Sequence, residues 1–269
     1  MNKIAKALER ARRESGDARF ETLSGIAPER DSGGALDEDS MIYTRTKIRA
    51  PDDILLRNNR VLTHIRDTFV QDHYSLLRTQ VLQRTRDQGR NTIMVTSVGR
   101  NEGKTTTAMN LAISMAREVG QTSLLVDLDL REPDVGKYLG FSEERGISDF
   151  LVSNAPVQEL FVNPGVQKIV VLPAGRALTA TTELLGSPKM KNLVRELKQR
   201  YADRYVFFDC PPFIDNPDSM VFSSYVDGIL LVIEADRTPR RLIQKAVSML
   251  APEKLLGLVY NKARIAPRT

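Results

Sequence analysis

A strand, a glycine-containing turn and a helix, set in that order around one lysine, constrain this chain more than any other feature. The apolar run Ile93-Met94-Val95 leads into Thr96-Ser97-Val98-Gly99-Arg100-Asn101-Glu102-Gly103-Lys104-Thr105-Thr106, and Ala108, Leu111, Ala112 and Met115 follow at helical spacing. Such a unit builds a phosphate cradle, because loop N–H groups and the positive end of the helix dipole face one point. Gly103 lets the backbone approach a phosphate, Lys104 supplies charge for the terminal phosphates, and the Thr105 hydroxyl suits Mg²⁺. Gly99, Arg100, Asn101, Glu102, Gly103, Lys104, Thr105 and Thr106 are therefore the candidate nucleotide-binding residues. The gap between Gly99 and Gly103 is one residue shorter than in the common phosphate loop.

Two further apolar runs end in carboxylates. Leu124-Leu125-Val126 is followed by Asp127-Leu128-Asp129-Leu130-Arg131-Glu132-Pro133, and Tyr205-Val206-Phe207-Phe208 by Asp209-Cys210-Pro211-Pro212. Continuous apolar runs are the mark of parallel strands covered on both faces. Ligands of such sheets bind beyond the strand carboxyl ends, where these aspartates fall. Asp209 has the form of a carboxylate that helps hold Mg²⁺. Either tip alone is also the form of an ordinary turn aspartate; two of them beside one phosphate loop are not.

Apolar runs recur at 169–172, 229–233 and 255–259, with helical patterns between them. The clearest has Ser187 as N-cap, Pro188 at the first helical position, and Met190, Leu193, Val194 and Leu197 on one face. The alternation predicts an α/β, doubly wound and mostly parallel sheet with helices on both faces. It occupies residues 51–269, after a segment 1–50 that reads as a basic amphipathic helix followed by a flexible linker. That helix carries Ile4, Leu8 and Ala11 on one stripe, suited either to a partner or anionic leaflet or simply to solvent.

With 269 residues, a net charge of +5 and interspersed charges, the chain gives no indication of nucleic-acid binding. The single cysteine, Cys210, excludes an internal disulfide and a cysteine-based metal cluster, and fits a reducing compartment. No apolar stretch has membrane-spanning length and no signal-peptide core is present. These features point to the cytoplasm, with room for peripheral contact at the inner membrane.

The stretches 96–106, 124–133 and 206–212 resemble the Walker A, A′ and B motifs of bacterial tyrosine kinases of the polysaccharide-biosynthesis type, in their soluble form. Gly146-Ile147-Ser148-Asp149, Val171-Leu172-Pro173-Ala174-Gly175, Thr182-Glu183-Leu184-Leu185, Val226-Asp227-Gly228 and Gly257-Leu258-Val259-Tyr260-Asn261 are similar to further signatures of that family. The opening Lys6-Ala7-Leu8-Glu9-Arg10-Ala11 is similar to members from exopolysaccharide and exosortase gene clusters. The resemblance implies ATP and Mg²⁺ as cofactors and a protein tyrosine as acceptor. It also implies a membrane adaptor of the polysaccharide co-polymerase type, and a homo-oligomer. It further implies that Lys104 neutralises the β,γ-phosphates, that Thr105, Asp129 and Asp209 serve the metal, that Asp127 accepts the tyrosine proton, that Asn261 meets adenine and that Arg131 lies by the site.

Two departures stand out. Family tails carry several tyrosines, whereas the last one here, Tyr260, belongs to the final strand pattern, leaving Tyr43 in the linker as the reachable acceptor. The ring-forming helix pattern Glu-x-x-Arg-x-x-Arg is met only by Asp72, Ser75 and Arg78. A Min/Par-type ATPase switch is the competing reading. Its signature lysine would stand at Gly99, with Arg100 one place off. A regulator that binds ATP without transferring phosphate is the third.

Overall fold

The computed structural model of this chain describes residues 47–48, 53–65, 67–142, 144–201, 203–214 and 216–264. The expected N-terminal helix, most of the linker and Tyr43 lie outside the described residues. In chain order the strands are β1 (Lys47–Ile48), β2 (Thr92–Ser97), β3 (Thr122–Asp127), β4 (Val162–Asn163), β5 (Ile169–Leu172), β6 (Arg204–Asp209), β7 (Gly228–Glu234) and β8 (Leu255–Asn261). The helices are α1 (Asp53–Asn58), α2 (Thr68–Thr85), α3 (Lys104–Ala116), α4 (Val135–Leu139), α5 (Ile147–Ser153), α6 (Thr181–Leu185), α7 (Pro188–Arg200), α8 (Pro217–Phe222) and α9 (Arg240–Met249). Ser187 caps α7 as its sequence predicts, its hydroxyl accepting from the Met190 N–H at 3.2 Å.

The strands make one sheet in the order β1-β4-β5-β3-β6-β2-β7-β8. Every described pair is parallel except β4 with β5. The expected doubly wound parallel sheet is what forms, with two short reversed strands, β1 and β4, at one edge. Alternation along each strand explains why the central runs are apolar throughout. Met94, Leu124, Val126, Val206 and Phe208 pack on one face with the α7 stripe; Ile93, Val95, Leu125 and Phe207 pack on the other with α3. A strand covered on both faces leaves room for a polar side chain mainly where it finds a partner, as Thr92 and Thr96 of β2 do. α3 is likewise enclosed: Leu111 and Met115 are fully buried, and its buried Asn110 and Ser114 are bonded to Leu62 N and Tyr74 O, as a core helix requires.

Two anchors fix β2, and with it the phosphate loop. At its start, the Asp227 carboxylate accepts from Asn91 N at 3.1 Å, Thr92 N at 3.1 Å and the Thr92 hydroxyl at 2.7 Å, and pairs with Lys198. Burial pushes the Asp227 carboxyl up, but these partners outweigh it and hold it below its ordinary value. Near the strand's end, the Thr96 hydroxyl donates to Pro211 O at 2.6 Å, and Phe213 N to Ser97 O at 2.7 Å. Asp227→Ala strands the two backbone donors and an ammonium. Its expected cost is about 3 kcal/mol in denaturant unfolding, with nucleotide affinity close to unchanged. A variant as stable as the parent would show the anchor to be superfluous.

The signature around Gly146 also has a structural cause. Ile147 N donates to Pro173 O at 2.9 Å and Ser148 N to Ala174 O at 3.0 Å, so α5 starts pressed against the turn after β5. Arg78 on α2 is engaged within its own copy: it donates to Ser114 O at 2.9 Å and meets the Glu118 carboxylate at 3.3 Å. Among the described residues, no helix is long and apolar enough to cross a membrane.

Candidate nucleotide and phosphoryl-transfer site

The loop between β2 and α3 closes on Gly103, whose φ of 94° is in the left-handed region. A Cβ there would overlap the side-chain amide of Asn261, which donates to Glu102 O at 2.8 Å. Asn101, at φ 62°, has its carbonyl held by Lys262 Nζ at 2.6 Å. Glu102 is buried and folds back over the loop, accepting from Gly99 N at 2.9 Å and from the Thr238 hydroxyl at 2.6 Å. The loop is thus shaped before any ligand arrives, with the first turn of α3 directly behind it. The N–H groups of that turn have no partner within the helix. Gly103→Ala is expected to displace Asn261 and strain the loop. Isothermal titration should then find ATP bound at least tenfold more weakly, with a stability loss of about 1–3 kcal/mol. Unchanged ATP affinity would contradict this account of the loop.

Lys104 lies where the three strand tips meet. Its ammonium is 3.0 Å from Asp129 Oδ2 and 3.7 Å from Asp209 Oδ2, and donates to the Thr105 hydroxyl at 3.2 Å. Thr105 in turn donates to Asp209 Oδ2 at 2.7 Å. Burial alone would lower the Lys104 pKa, but Asp209 and Asp129 outweigh it and raise it above the ordinary value. Asp209 and Asp127 face each other across the paired strands β6 and β3. Asp127 is buried and accepts from Asp129 N at 3.1 Å, Asp134 N at 3.2 Å and Val135 N at 3.1 Å. Burial first, and the charge of Asp209 second, raise its pKa to about 8, against the pull of Lys104 and the backbone donors. Burial likewise raises Asp209, while Lys104 and Thr105 oppose it.

Carboxylates outnumber the one buried ammonium here, and Asp209 Oδ1 is buried without a hydrogen-bond partner. An orphaned oxygen beside a threonine hydroxyl fits a hard divalent cation. Among the described residues, no three His, Cys, Asp or Glu side chains converge as a ready-made metal cage. The donor set suits an ion that completes its shell with phosphate oxygens and water, as Mg²⁺ does.

Around this centre, the exposed Arg100 guanidinium takes both oxygens of Glu132 at 2.9 Å, linking the phosphate loop to the turn after β3. Arg131 is held from behind. Its Nε donates to Asp218 Oδ2 at 3.0 Å, and the buried Asp218 also accepts from Thr181 at 2.6 Å and from Thr182. Burial raises the Asp218 carboxyl, yet the Arg131, Thr181 and Thr182 bonds bring it below its ordinary value.

The structure therefore brings Lys104, Thr105, Asp129 and Asp209 into direct contact, sets Asp127 opposite Asp209 on the neighbouring strand, and holds Arg131, two residues beyond Asp129, on Asp218. The side chains of Glu102 and Asn261 brace the loop, and that of Arg100 spans the mouth. Glu132, Asp218, Thr238 and Lys262 escaped the sequence reading because each acts across more than 25 residues of chain or lies outside a motif. Only Glu132, within the Asp-x-Asp-x-Arg-Glu-Pro run, offered a local signal.

The protein-family model described as "AAA domain" matches residues 91–238, from just before β2 to just beyond β7. The tyrosine-protein kinase YwqD of Bacillus subtilis is 31% identical over 197 residues, covering 72% of this chain and 82% of that protein. The succinoglycan biosynthesis transport protein ExoP of Rhizobium meliloti is 31% identical over 175 residues, covering 63% of this chain and 22% of that protein. Among solved structures, the VpsO kinase domain is similar at a TM-score of 0.63 and 28% identity, covering 74% of this chain and 100% of that one.

Proposed function

Because this chain belongs to the bacterial tyrosine kinases of the AAA-domain family, we propose that it transfers the γ-phosphoryl group of Mg·ATP to tyrosine hydroxyls of protein substrates. The single observation that carries this reading is the Lys104 ammonium set 3.0 Å from Asp129 and 3.7 Å from Asp209 at the phosphate loop. ATP with Mg²⁺ supplies the transferable phosphoryl group and a metal that offsets the charge growing on the leaving oxygen. Phosphoryl transfer asks the protein mainly for positioning and charge. Lys104 neutralises the terminal phosphates, exchanging carboxylate partners for phosphate oxygens. Thr105 and Asp209 hold the metal side of the site, with Asp129 alongside. Asp127 takes the acceptor's proton in its ionised form, which a cation bound beside Asp209 would favour by offsetting the charge that now raises its pKa; of about four acceptor positions on a carboxylate, three are filled by backbone N–H groups. Arg131, braced by Asp218, faces the incoming substrate. Asn261 meets the base end of the nucleotide while holding Glu102.

The likeness to ExoP supports a role in exopolysaccharide biosynthesis and export, beside a membrane adaptor of the co-polymerase type. A peripheral position at the inner face of the membrane follows from that partnership. Gly99, where the Min/Par switch carries its lysine, speaks against the alternative. Incubating the protein with Mg·ATP and a poly(Glu,Tyr) copolymer tests the reading: phosphotyrosine is expected on the copolymer. ATP turnover with no phosphotyrosine on any acceptor would replace the kinase with the switch.

A further inference from the structure

Independently of the kinase reading, we propose that the outer face of the layer formed by α7 and α9 docks on a lipid surface rich in anionic headgroups. Both helices cover the same side of the sheet. Met190, Leu193, Val194 and Leu197 of α7 and Ala246 of α9 belong to one buried cluster, with Leu242, Ile243 and Val247 packed against it. What remains outward is basic. Arg240, Arg241 and Lys245 are exposed on α9, and Lys191 and Arg195 on α7. From Arg237 to Pro252 the chain has four cations and no carboxylate.

This arrangement works against α9 itself. Arg240 and Arg241 sit in its first turn, where the helix dipole favours anions, and that turn holds no acidic residue and no side-chain cap. Arg241 and Lys245 stand four residues apart, a like-charge spacing that weakens a helix. Neither Arg240 nor Arg241 forms an ion pair with a described residue. Several cations of α7 show the ordinary alternative. Lys198 is paired with Asp227, Arg200 meets Glu196 at 2.8 Å, and Lys189 donates to Leu151 O at 3.1 Å. Arginines that cost their own helix stability, and that find no counter-charge inside the fold, suit a counter-charge outside it.

Two features favour a bilayer surface over an acidic peptide. The cations are spread along two helices on one broad side of the sheet, which matches a plane of headgroups better than a single strand of peptide. The chain also carries Lys3, Lys6, Arg10, Arg12 and Arg13 near its start, a sequence that adds to the same attraction. Docking this way leaves the reaction free. Lys104 and Asp209 lie at the carboxyl ends of the strands, which form a rim of the sheet and not the side covered by α7 and α9.

Flotation of the full chain with lipid vesicles tests the inference. Binding is expected to phosphatidylcholine vesicles carrying about a third phosphatidylglycerol, with none to phosphatidylcholine alone and release at high salt. Arg240→Glu combined with Arg241→Glu should lower the bound fraction by about fivefold or more, while poly(Glu,Tyr) phosphorylation stays at the parent level. Lys191→Glu combined with Arg195→Glu should also lower it. Glutamates in the first turn of α9 suit the dipole, so the denaturant midpoint of the first variant should match or exceed the parent's. That measurement separates lost docking from lost folding. Parent-level flotation of either variant, or no flotation of the parent, overturns the inference. Capture of the parent on immobilised polyglutamate, without binding to vesicles, overturns it in favour of an acidic protein partner. Vesicle binding lost in the variants, with no copolymer phosphorylation by the parent, supports the inference and removes the kinase reading alone.

Discussion

Lys104→Met will lower phosphoryl transfer to a tyrosine copolymer about a thousandfold and will also destabilise the ligand-free protein by about 3 kcal/mol. The first effect follows from the role proposed for Lys104, the ammonium that the loop would offer to the terminal phosphates. The second is independent of ATP. In the parent, Asp129 and Asp209 stand 3.0 and 3.7 Å from Lys104 Nζ, and both are buried. Removing one member of a buried ion pair leaves charge without compensation, and the usual cost is about 3–5 kcal/mol. The orphaned Asp209 carboxylate, whose pKa burial already raises, escapes that cost by taking up a proton. The stability deficit is therefore expected to shrink at pH 5 and to grow above pH 7, measured as denaturant midpoints of variant and parent side by side. A deficit independent of pH would mean that Lys104 is not the partner of these carboxylates.

Asp127→Asn is expected to cut the transfer rate by about 10²–10⁴, the range of a lost general base, while leaving ATP binding within a few-fold. It also carries a pH signature. Unfolded, an aspartate releases its proton near pH ~4; folded, Asp127 keeps it to about 8 because of burial and the nearby Asp209. Between those values the folded state binds the extra proton, so this group's contribution is greatest below ~4 and is lost as pH rises toward 8. The slope is of order 1 kcal/mol per pH unit. Asparagine does not titrate. The melting temperature of the parent should fall between pH 6 and pH 8.5 by about 5 °C more than that of the variant. Parallel decline of the two would show that Asp127 ionises normally in the fold.

The sheet and its centre were legible in the sequence for a physical reason: each rests on short-range pattern. Uninterrupted apolar runs require strands covered on both faces; Asp127 and Asp209 each stand at the end of one, and Lys104 opens the helix beyond the loop that follows a third. β5 and β6 begin within a residue of their apolar runs, β3 begins two residues before its own, and β8 extends two residues beyond its run to reach Asn261. What the sequence could not reveal were pairings across the chain. Asp218 is 87 residues from Arg131, and Thr238 is 136 from Glu102, yet these contacts decide how the loop and the rim arginine are held. The identity of Glu102 as a brace was hidden for the same reason. A glutamate in a phosphate loop looks like a ligand contact until its partner from beyond β7 is seen. The exposure of Tyr260 was equally unreadable, since nothing local says which strand will stand last in the sheet.

The two fastenings of β2 have a mechanical corollary. With Asp227 gripping its first residues and the Pro211 carbonyl its penultimate one, the central strand is a strut that cannot slide along its neighbours. The heights of amine and carboxylates are set once, during folding. The turn from Leu128 to Asp134 shares that fixity: Leu128 N donates to Asp209 O at 2.9 Å, Leu178 N to Leu130 O at 2.8 Å, and Arg131 pairs with Asp218, so the exposed Arg100–Glu132 clasp joins two banks already held in place.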